Sequence, residues 1–312
     1  MRGKGANMTI TLQESLRGLF YAPFYVALAH DAYKTEGVDV QVVSAPKPGD
    51  AAIAVMSGAV DINWGGPMRV AQTYHQRADC DLVSFAEVVT RDPFVLVGRE
   101  PKPDFSFNDL LTARIATVSE VPTPWLCLQE DLRRAGIDPG RLNRISDRTM
   151  AENRDALLRG DVDVIQVFEP FVSMLETSGQ GHVWYAAATR GPTSYTTFYA
   201  RRGMLTERRD ELIRMVRAIA RTQRWVTAAD PSAIAEAITP YFPDVPLEIL
   251  TAACRRYKAL GIWGKDPRLP RTGYDRLLAG LVSGGFVDPG VPFATAVDNS
   301  LAEAVRAELA GT

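Results

Sequence analysis

Alternation dominates the start of the chain. Residues 8–12 (MTITL), 38–43 (VDVQVV) and 61–64 (DINW) carry apolar side chains at every second position, and 81–88 and 94–98 are short apolar runs bounded by turn residues, which predicts five strands. Between them, residues 21–36, 50–57 and 68–77 read as helices. Strands joined through helices need crossover connections, so the sheet they form is mostly parallel. At 101–107 the composition shifts to PKPDFSF, where each proline pushes its predecessor toward extended backbone, and the chain is expected to leave the first lobe.

A second α/β series follows, with strands at 114–117, 162–167 and 182–187 and helices at 125–135, 150–159 and 171–178. Residues 195–200 (YTTFYA) form one more strand-like run. After it the pattern turns helical, at 207–228, 231–239, 247–260, 274–282 and 300–310. Leu212, Ile213, Val216, Ile219 and Ala220 share one stripe of the first of these, as expected for a helix laid on the outside of a sheet. A length of 312 residues fits two such lobes better than a single core.

One phrase occurs twice. GAVDINWGGP at 58–67 can be laid over GDVDVIQVFEPF at 160–171, with helix end, glycine, Val-Asp and apolar strand in register. Gly58 and Gly160 sit where a helix stops in the left-handed conformation that glycine adopts most readily. Asp61 and Asp163 stand at the strand starts, and Pro67 and Pro170 follow the strands at positions suited to a first helical turn. The shared part reads as a common αβ junction and the divergent endings as two sides of one cleft. Carboxyl ends of parallel strands and helix N-termini are where open α/β sheets bind ligands.

Composition narrows the function. A formal net charge of −2 provides no positive field for nucleic acid or acidic lipid, and Arg255, Arg256 and Lys258 read as a solvated helix face. With 46% hydrophobic and 23% charged residues, and no apolar run long enough to span a bilayer, the chain reads as water-soluble. Cys80, Cys127 and Cys254 are far apart and form no C-x-x-C pair, so neither a disulfide framework nor a zinc knuckle is written here. P-loop, G-x-S-x-G, H-E-x-x-H and dinucleotide fingerprints are missing, and no cofactor is expected. The basic start at 1–7 has no apolar segment behind it.

The order SLRGLFYAPFYVALAHDAYKTEGVDVQVV, GAVDINWGG, TRDPFVLVGREP, FNDLLTARIATVS and GDVDVIQVFEPF resembles the solute-binding proteins of bacterial ABC importers. The similarity is to the branch that binds aliphatic sulfonates, nitrate, taurine and thiamine pyrimidine precursors, and it covers roughly residues 8–201. It implies a two-lobed periplasmic-binding-protein-like (type II) fold with two mixed, mostly parallel sheets, a ligand cleft between hinge-closing lobes and a helical tail. The first lobe takes 1–98 and 196–312, the second 99–195, with crossings near 97–103 and 191–197. The resemblance also implies a monomer that serves a membrane permease from the periplasm; a cytoplasmic sensor is the alternative, as no leader is visible.

Site candidates follow from strand ends. Arg17, Gly18, Leu19, Phe20 and Tyr21 lie between the first strand and helix; Trp64, Gly65 and Gly66 end the third strand; Thr90 and Arg91 end the fourth. In the second lobe Ser119, Glu120 and Trp125, with Thr123 between them, surround a helix start, and Phe168, Glu169 and Tyr195 complete the set. Arg17 and Arg91 offer charge to a carboxylate or sulfonate, whereas the aromatic residues suit a flat or partly apolar solute. Enzymes on the same fold are the rivals. A desulfinase-like site needs a cleft cysteine with a histidine close by, which SLRGLFYAPFY does not provide; a pyrimidine-forming synthase has a histidine after the DINW-like strand and a lysine for pyridoxal phosphate, where this chain has Trp64, Gly65 and Gly66. A decarboxylase-like activity on this fold is a further alternative. His30, His75 and His182 read as structural or surface residues.

Overall fold

The computed structural model describes residues 9–288 and 291–310; Met8, the first residue of the expected opening strand, and the basic start at 1–7 lie outside them. Ten strands occur: β1 Ile10–Glu14, β2 Val40–Ser44, β3 Ile62–Gly65, β4 Leu82–Val89, β5 Val95–Gly98, β6 Arg114–Val118, β7 Asn143–Arg148, β8 Val164–Val167, β9 His182–Ala186 and β10 Thr196–Arg201. They make two sheets of five, ordered β2-β1-β3-β10-β4 and β7-β6-β8-β5-β9. Each holds three parallel strands, and beside them an antiparallel strand that arrives from the other lobe: β10 in the first sheet, β5 in the second.

The repeated phrase is one structural device used in both lobes. Gly58 (φ 75°) and Gly160 (φ 78°) both take the left-handed conformation. The Asp61 carboxylate then accepts the backbone N–H of Thr11 at 2.8 Å, and the Asp163 carboxylate accepts that of Arg114 at the same distance. The backbone N–H of each aspartate donates in return to the carbonyl of the same residue it serves. Each pair pins the amino-terminal ends of neighbouring parallel strands, β1 to β3 and β6 to β8. That interaction fixes register, which in a strand decides which face every later side chain occupies.

One face of the first sheet is apolar. Leu12, Ile62, Trp64, Phe85 and Phe198 pack there with side chains of the helices Ala22–Ala29, Arg209–Ala228 and Pro231–Ile238. The opposite face, through Tyr199, meets the helices Pro67–Gln76 and Arg271–Ser283. The latter helix also leans on Thr123–Arg134 of the second lobe, where a side chain at Gly280 would lie 3.4 Å from the Cα of Cys127.

The structure departs from the sequence expectation at four places. β5, expected to close the first lobe, pairs in the second sheet, so the first crossing lies at 90–94 rather than near 97–103. A five-residue link ordinarily joins sheet neighbours, and this one instead crosses between lobes. β7 is not expected from the sequence at all, because an exposed edge strand reading NRISDR carries charge in place of alternation. The single helix expected over 21–36 breaks at Asp31, which takes φ 50°, into Ala22–Ala29 and Ala32–Thr35. Arg256 is not part of a solvated face: it pairs with the fully buried Glu169 at 2.7 Å and with Glu176, tying the tail helix Leu247–Leu260 to the second lobe.

The two crossings, 90–94 and 187–195, run side by side and are bound by one buried cation. Arg190 on the second crossing reaches Asp92 on the first at 2.6 Å, and its Nε lies 3.0 Å from Asp131 on the helix Thr123–Arg134. The side chains of Asp92, Arg190 and Asp131 are 0%, 7% and 11% exposed. Burial works against the guanidinium charge, but Asp92 and Asp131 overcome it and hold Arg190 well above its ordinary pKa. Burial pushes the Asp92 carboxyl up, while Arg190 and the N–H of Phe94 pull it back.

Two outcomes are expected from urea unfolding. Asp163→Ala leaves the N–H of Arg114 without its acceptor and should cost about 1–3 kcal/mol, with Asp61→Ala similar in the other lobe. Arg190→Ala strands Asp92 and Asp131 and should cost about 3–5 kcal/mol, partly recovered by adding Asp92→Asn. Equal stabilities of Arg190→Ala and wild type would contradict the structural weight given to this cation.

Candidate functional site

Four parallel strands end on one place. Ser15 follows β1 and Gly66 follows β3 in the first lobe; Val121 and Thr123 follow β6 and Phe168 follows β8 in the second. With Phe94 and Tyr195 from the crossings, these residues enclose a cavity of about 50 Å³ between the lobes. A water needs about 10–15 Å³ of such space, so the cavity holds a few waters or a compact ion, and anything larger enters when the lobes part. A larger recess of about 370 Å³ beside Asp31 and Lys34 is built by the first lobe alone.

An aromatic cage forms one wall. Phe20 of the first lobe meets Phe168 of the second edge-on, at 5.2 Å between ring centres. Phe94 meets the same Phe168 at 5.1 Å, and Tyr195 meets Phe20 at 6.0 Å. Such edge-to-face pairs are worth about 0.5–1.5 kcal/mol beyond their burial, and the Phe20–Phe168 contact is one that lobe opening must break.

The lining also carries a cation. Arg69 lies in the first turn of the helix Pro67–Gln76, where the helix dipole disfavours positive charge. Its Nη1 donates to the side-chain oxygen of Gln72 at 2.8 Å, and among the described residues no carboxylate lies within ion-pair distance of it. Burial pushes its pKa down, with Tyr199, Tyr21 and Asp50 opposing. A half-buried cation at a helix start, without a counter-ion, is a costly arrangement that an incoming anion relieves. Ser15 and Thr123 add hydroxyls, and Tyr21 adds a buried phenol whose pKa burial raises.

Of the residues singled out from the sequence, Phe20, Tyr21, Gly66, Thr123, Phe168 and Tyr195 line this cavity. The others lie elsewhere. Arg17 forks onto Glu14 with two bonds of 3.0 Å and stacks over Tyr25, so its charge is already met. Gly18 leaves room for the Phe20 ring, which a side chain there would strike at 2.6 Å. Trp64 is fully buried, stacked on Phe24 at 4.8 Å behind Tyr21, and Gly65 is packed against Asn63 and Ser15. Thr90 and Arg91 turn to the back of the hinge, where Arg91 donates to the carbonyls of Leu260 and Ala188. Ser119 and Glu120 are exposed; Glu120 accepts the N–H of Met150. Trp125 lies under the Arg144 guanidinium, 4.0 Å from its ring centre, and Glu169 is consumed by Ser173 and Arg256.

Sequence reading passed over Ser15, Phe94 and Arg69. The signal for Arg69 is present in GGPMR: proline at the first helical position fixes the helix start, which puts an arginine where the dipole opposes it.

Behind Tyr195, Ser194 faces Glu87 of β4, which is 1% exposed and has one carboxyl oxygen without a hydrogen-bond partner. Burial pushes this carboxyl from 4.5 up to about 8, Ser194 pulls it down and Asp266 adds to the rise. Above pH 4.5 the unfolded chain releases the proton that the folded chain keeps until about pH 8. The stability that Glu87 contributes should therefore be full below 4.5, fall as pH rises to about 8, and level off above it. Glu87→Gln should flatten this slope in thermal unfolding measured from pH 5 to 8; an unchanged slope would assign it to other groups.

Two hinged α/β lobes, with a cavity at the carboxyl ends of strands from both, make the architecture of the periplasmic solute-binding proteins. The chain belongs to the NMT1/THI5-like family, whose model matches residues 20–233. It is 26% identical over 301 residues, 96% of this chain and 90% of the relative, to YtlA of Bacillus subtilis (strain 168), which bears the provisional name of a binding protein. Its fold is similar to that of the alkanesulfonate-binding protein SsuA from Xanthomonas axonopodis pv. citri bound to MOPS, at 16% identity and a TM-score of 0.71, covering 94% of this chain and 98% of that one. It is also similar to the periplasmic nitrate-binding protein NrtA from Synechocystis PCC 6803, at 13% identity and a TM-score of 0.68, covering 96% and 89%.

Proposed function

We propose that the protein binds a small organic anion between its lobes and delivers it to the permease of an ABC importer. The observation that carries the reading is Arg69, a partly desolvated cation that lines the cavity, with no carboxylate within ion-pair distance among the described residues. The aromatic cage in the same lining suits a compact apolar or flat body on the same molecule. Names of relatives point the same way, toward sulfonate and nitrate. Among the described residues no helix is long and apolar enough to cross a membrane, which suits a carrier that shuttles to a separate permease outside the cytoplasmic membrane.

Binding without turnover is favoured over catalysis by the lining itself, which contains no cysteine, histidine, lysine, aspartate or glutamate. Thiolate chemistry has no nucleophile there: Cys127 and Cys254 are buried outside the cleft, with burial pushing both thiols up to about 12. A pyridoxal-type reaction has no lysine there.

Titration calorimetry over short alkanesulfonates, nitrate, aromatic carboxylates and pyrimidines tests this. One anion should bind at one equivalent and be recovered unchanged. Arg69→Ala should weaken it about 10–100-fold, the cost of a charge-assisted hydrogen bond, and Arg69→Lys should weaken it less. Preference for a neutral pyrimidine, consumption of the bound compound, or full affinity in Arg69→Ala would each overturn the reading.

A further inference from the structure

The aromatic cage is braced by a part of the tail that does not line the cavity. Along β5 and β8 the antiparallel register pairs Val95 with Val167. Continued toward the cleft, it sets Phe94 opposite Phe168 and Pro93 opposite Glu169, so the two rings form a cross-strand pair on one face, with centres 5.1 Å apart. The next rung of the ladder would join the N–H of Glu169 to the carbonyl of Pro93. A side chain stands in its place. The hydroxyl of Tyr257, on the tail helix Leu247–Leu260, accepts the N–H of Glu169 at 2.9 Å and donates to the carbonyl of Pro93 at 3.4 Å.

A phenol suits this position because its oxygen both donates and accepts, and Pro93 has no N–H with which to return a second bond. Tyr257 is 0% exposed, and burial, with the Glu169 carboxylate adding to it, pushes the phenol well above its ordinary pKa, so the donated proton stays in place. The ring is itself held, edge-on to Trp263 at 6.0 Å between centres. Trp263 in turn donates its indole N–H to the carbonyl of Phe20 at 2.9 Å, and its backbone bridges to Val89 at the end of β4. One stretch of the tail thus holds the backbone beside Phe94, Phe168 and Phe20, which come from both sides of the cleft.

We propose that Tyr257 is a positioning residue of the cleft: its hydroxyl replaces a ladder rung and so spaces the Phe94–Phe168 pair against which the apolar body of a bound anion rests. This rests on the reading of the cleft as an anion site. Arg69 takes no part in the arrangement, so charge and shape are set by different parts of the chain. A solute that is all charge is indifferent to the hydroxyl, whereas a solute with a flat body depends on it.

Nitrate and benzenesulfonate are the two probes, titrated by calorimetry into the full-length protein at a temperature where circular dichroism shows each variant folded. Tyr257→Phe keeps the ring and removes both bonds; it should weaken benzenesulfonate about 10-fold or more and nitrate less than about 3-fold. Tyr274→Phe is the control, a buried phenol that donates to the carbonyl of Val291 at 3.2 Å away from the cleft, and it should leave both affinities unchanged. A crystal structure of Tyr257→Phe should show the Phe94 and Phe168 ring centres displaced relative to each other by about 0.5 Å or more. If Tyr257→Phe binds benzenesulfonate fully, loses both anions equally or leaves the ring pair where it is, while Arg69→Ala weakens both anions, the proposal is overturned and the cleft reading stands. If the wild type binds neither anion, or Arg69→Ala binds both fully, the cleft reading fails and the proposal with it.

Discussion

A single buried guanidinium holds the two lobes in relation to each other. Arg190 stands between Asp92, on the outgoing crossing, and Asp131, on the first helix of the second lobe. Because all three side chains have left water, each is stable only in the company of the others, and the two crossings cannot be displaced independently. The consequences spread to both sides. Asp92 accepts the N–H of Phe94, which sets one ring of the cage, and five residues after Arg190 the returning chain presents Tyr195. The shape of the ligand cavity is thus set partly by an ion triad that does not touch it.

The proposed site combines two unlike kinds of lining. The cage of Phe20, Phe94, Phe168 and Tyr195 gives shape without charge, and Arg69 gives charge with little shape. Neither alone selects a solute: rings accept many flat bodies, and a lone cation accepts many anions. Brought together around about 50 Å³, they suit a small molecule that has both properties, if the proposed site is the binding site. The Phe20–Phe168 contact also makes the cavity sensitive to lobe position, since each ring belongs to a different lobe.

The architecture was legible in the sequence because it rests on periodicity, which survives in a single chain. Nine of the ten strands announce themselves by apolar runs; β7 does not, because an edge strand of alternating charge and polarity looks like a loop. The lobe boundary was misplaced because β5 looks like the natural continuation of β4, and only its pairing with β8 and β9 shows that the link between them changes sheet. Site residues were harder. A strand end is visible in sequence, but whether the side chain there points to solvent, core or cleft depends on what packs against it. Trp64 and Tyr21 occupy comparable ends, and the tryptophan went inward onto Phe24 while the tyrosine reached the cavity. Arg91 and Arg69 make the same point for charge. The first looked available and is spent on backbone carbonyls at the hinge; the second attracted no notice and faces the cleft.

The paired aspartates at the starts of β3 and β8 carry a consequence for how such a protein diversifies. Asp61 and Asp163 secure strand registry at the amino-terminal pole of each sheet, whereas Gly66, Arg69 and Phe168 present themselves at the carboxyl-terminal pole of the same strands. Folding instructions and chemical taste are thereby kept at opposite ends of a few residues of strand. A substitution at Gly66, Arg69 or Phe168 can therefore reshape the cavity while the aspartate bonds that assemble each lobe stay in place.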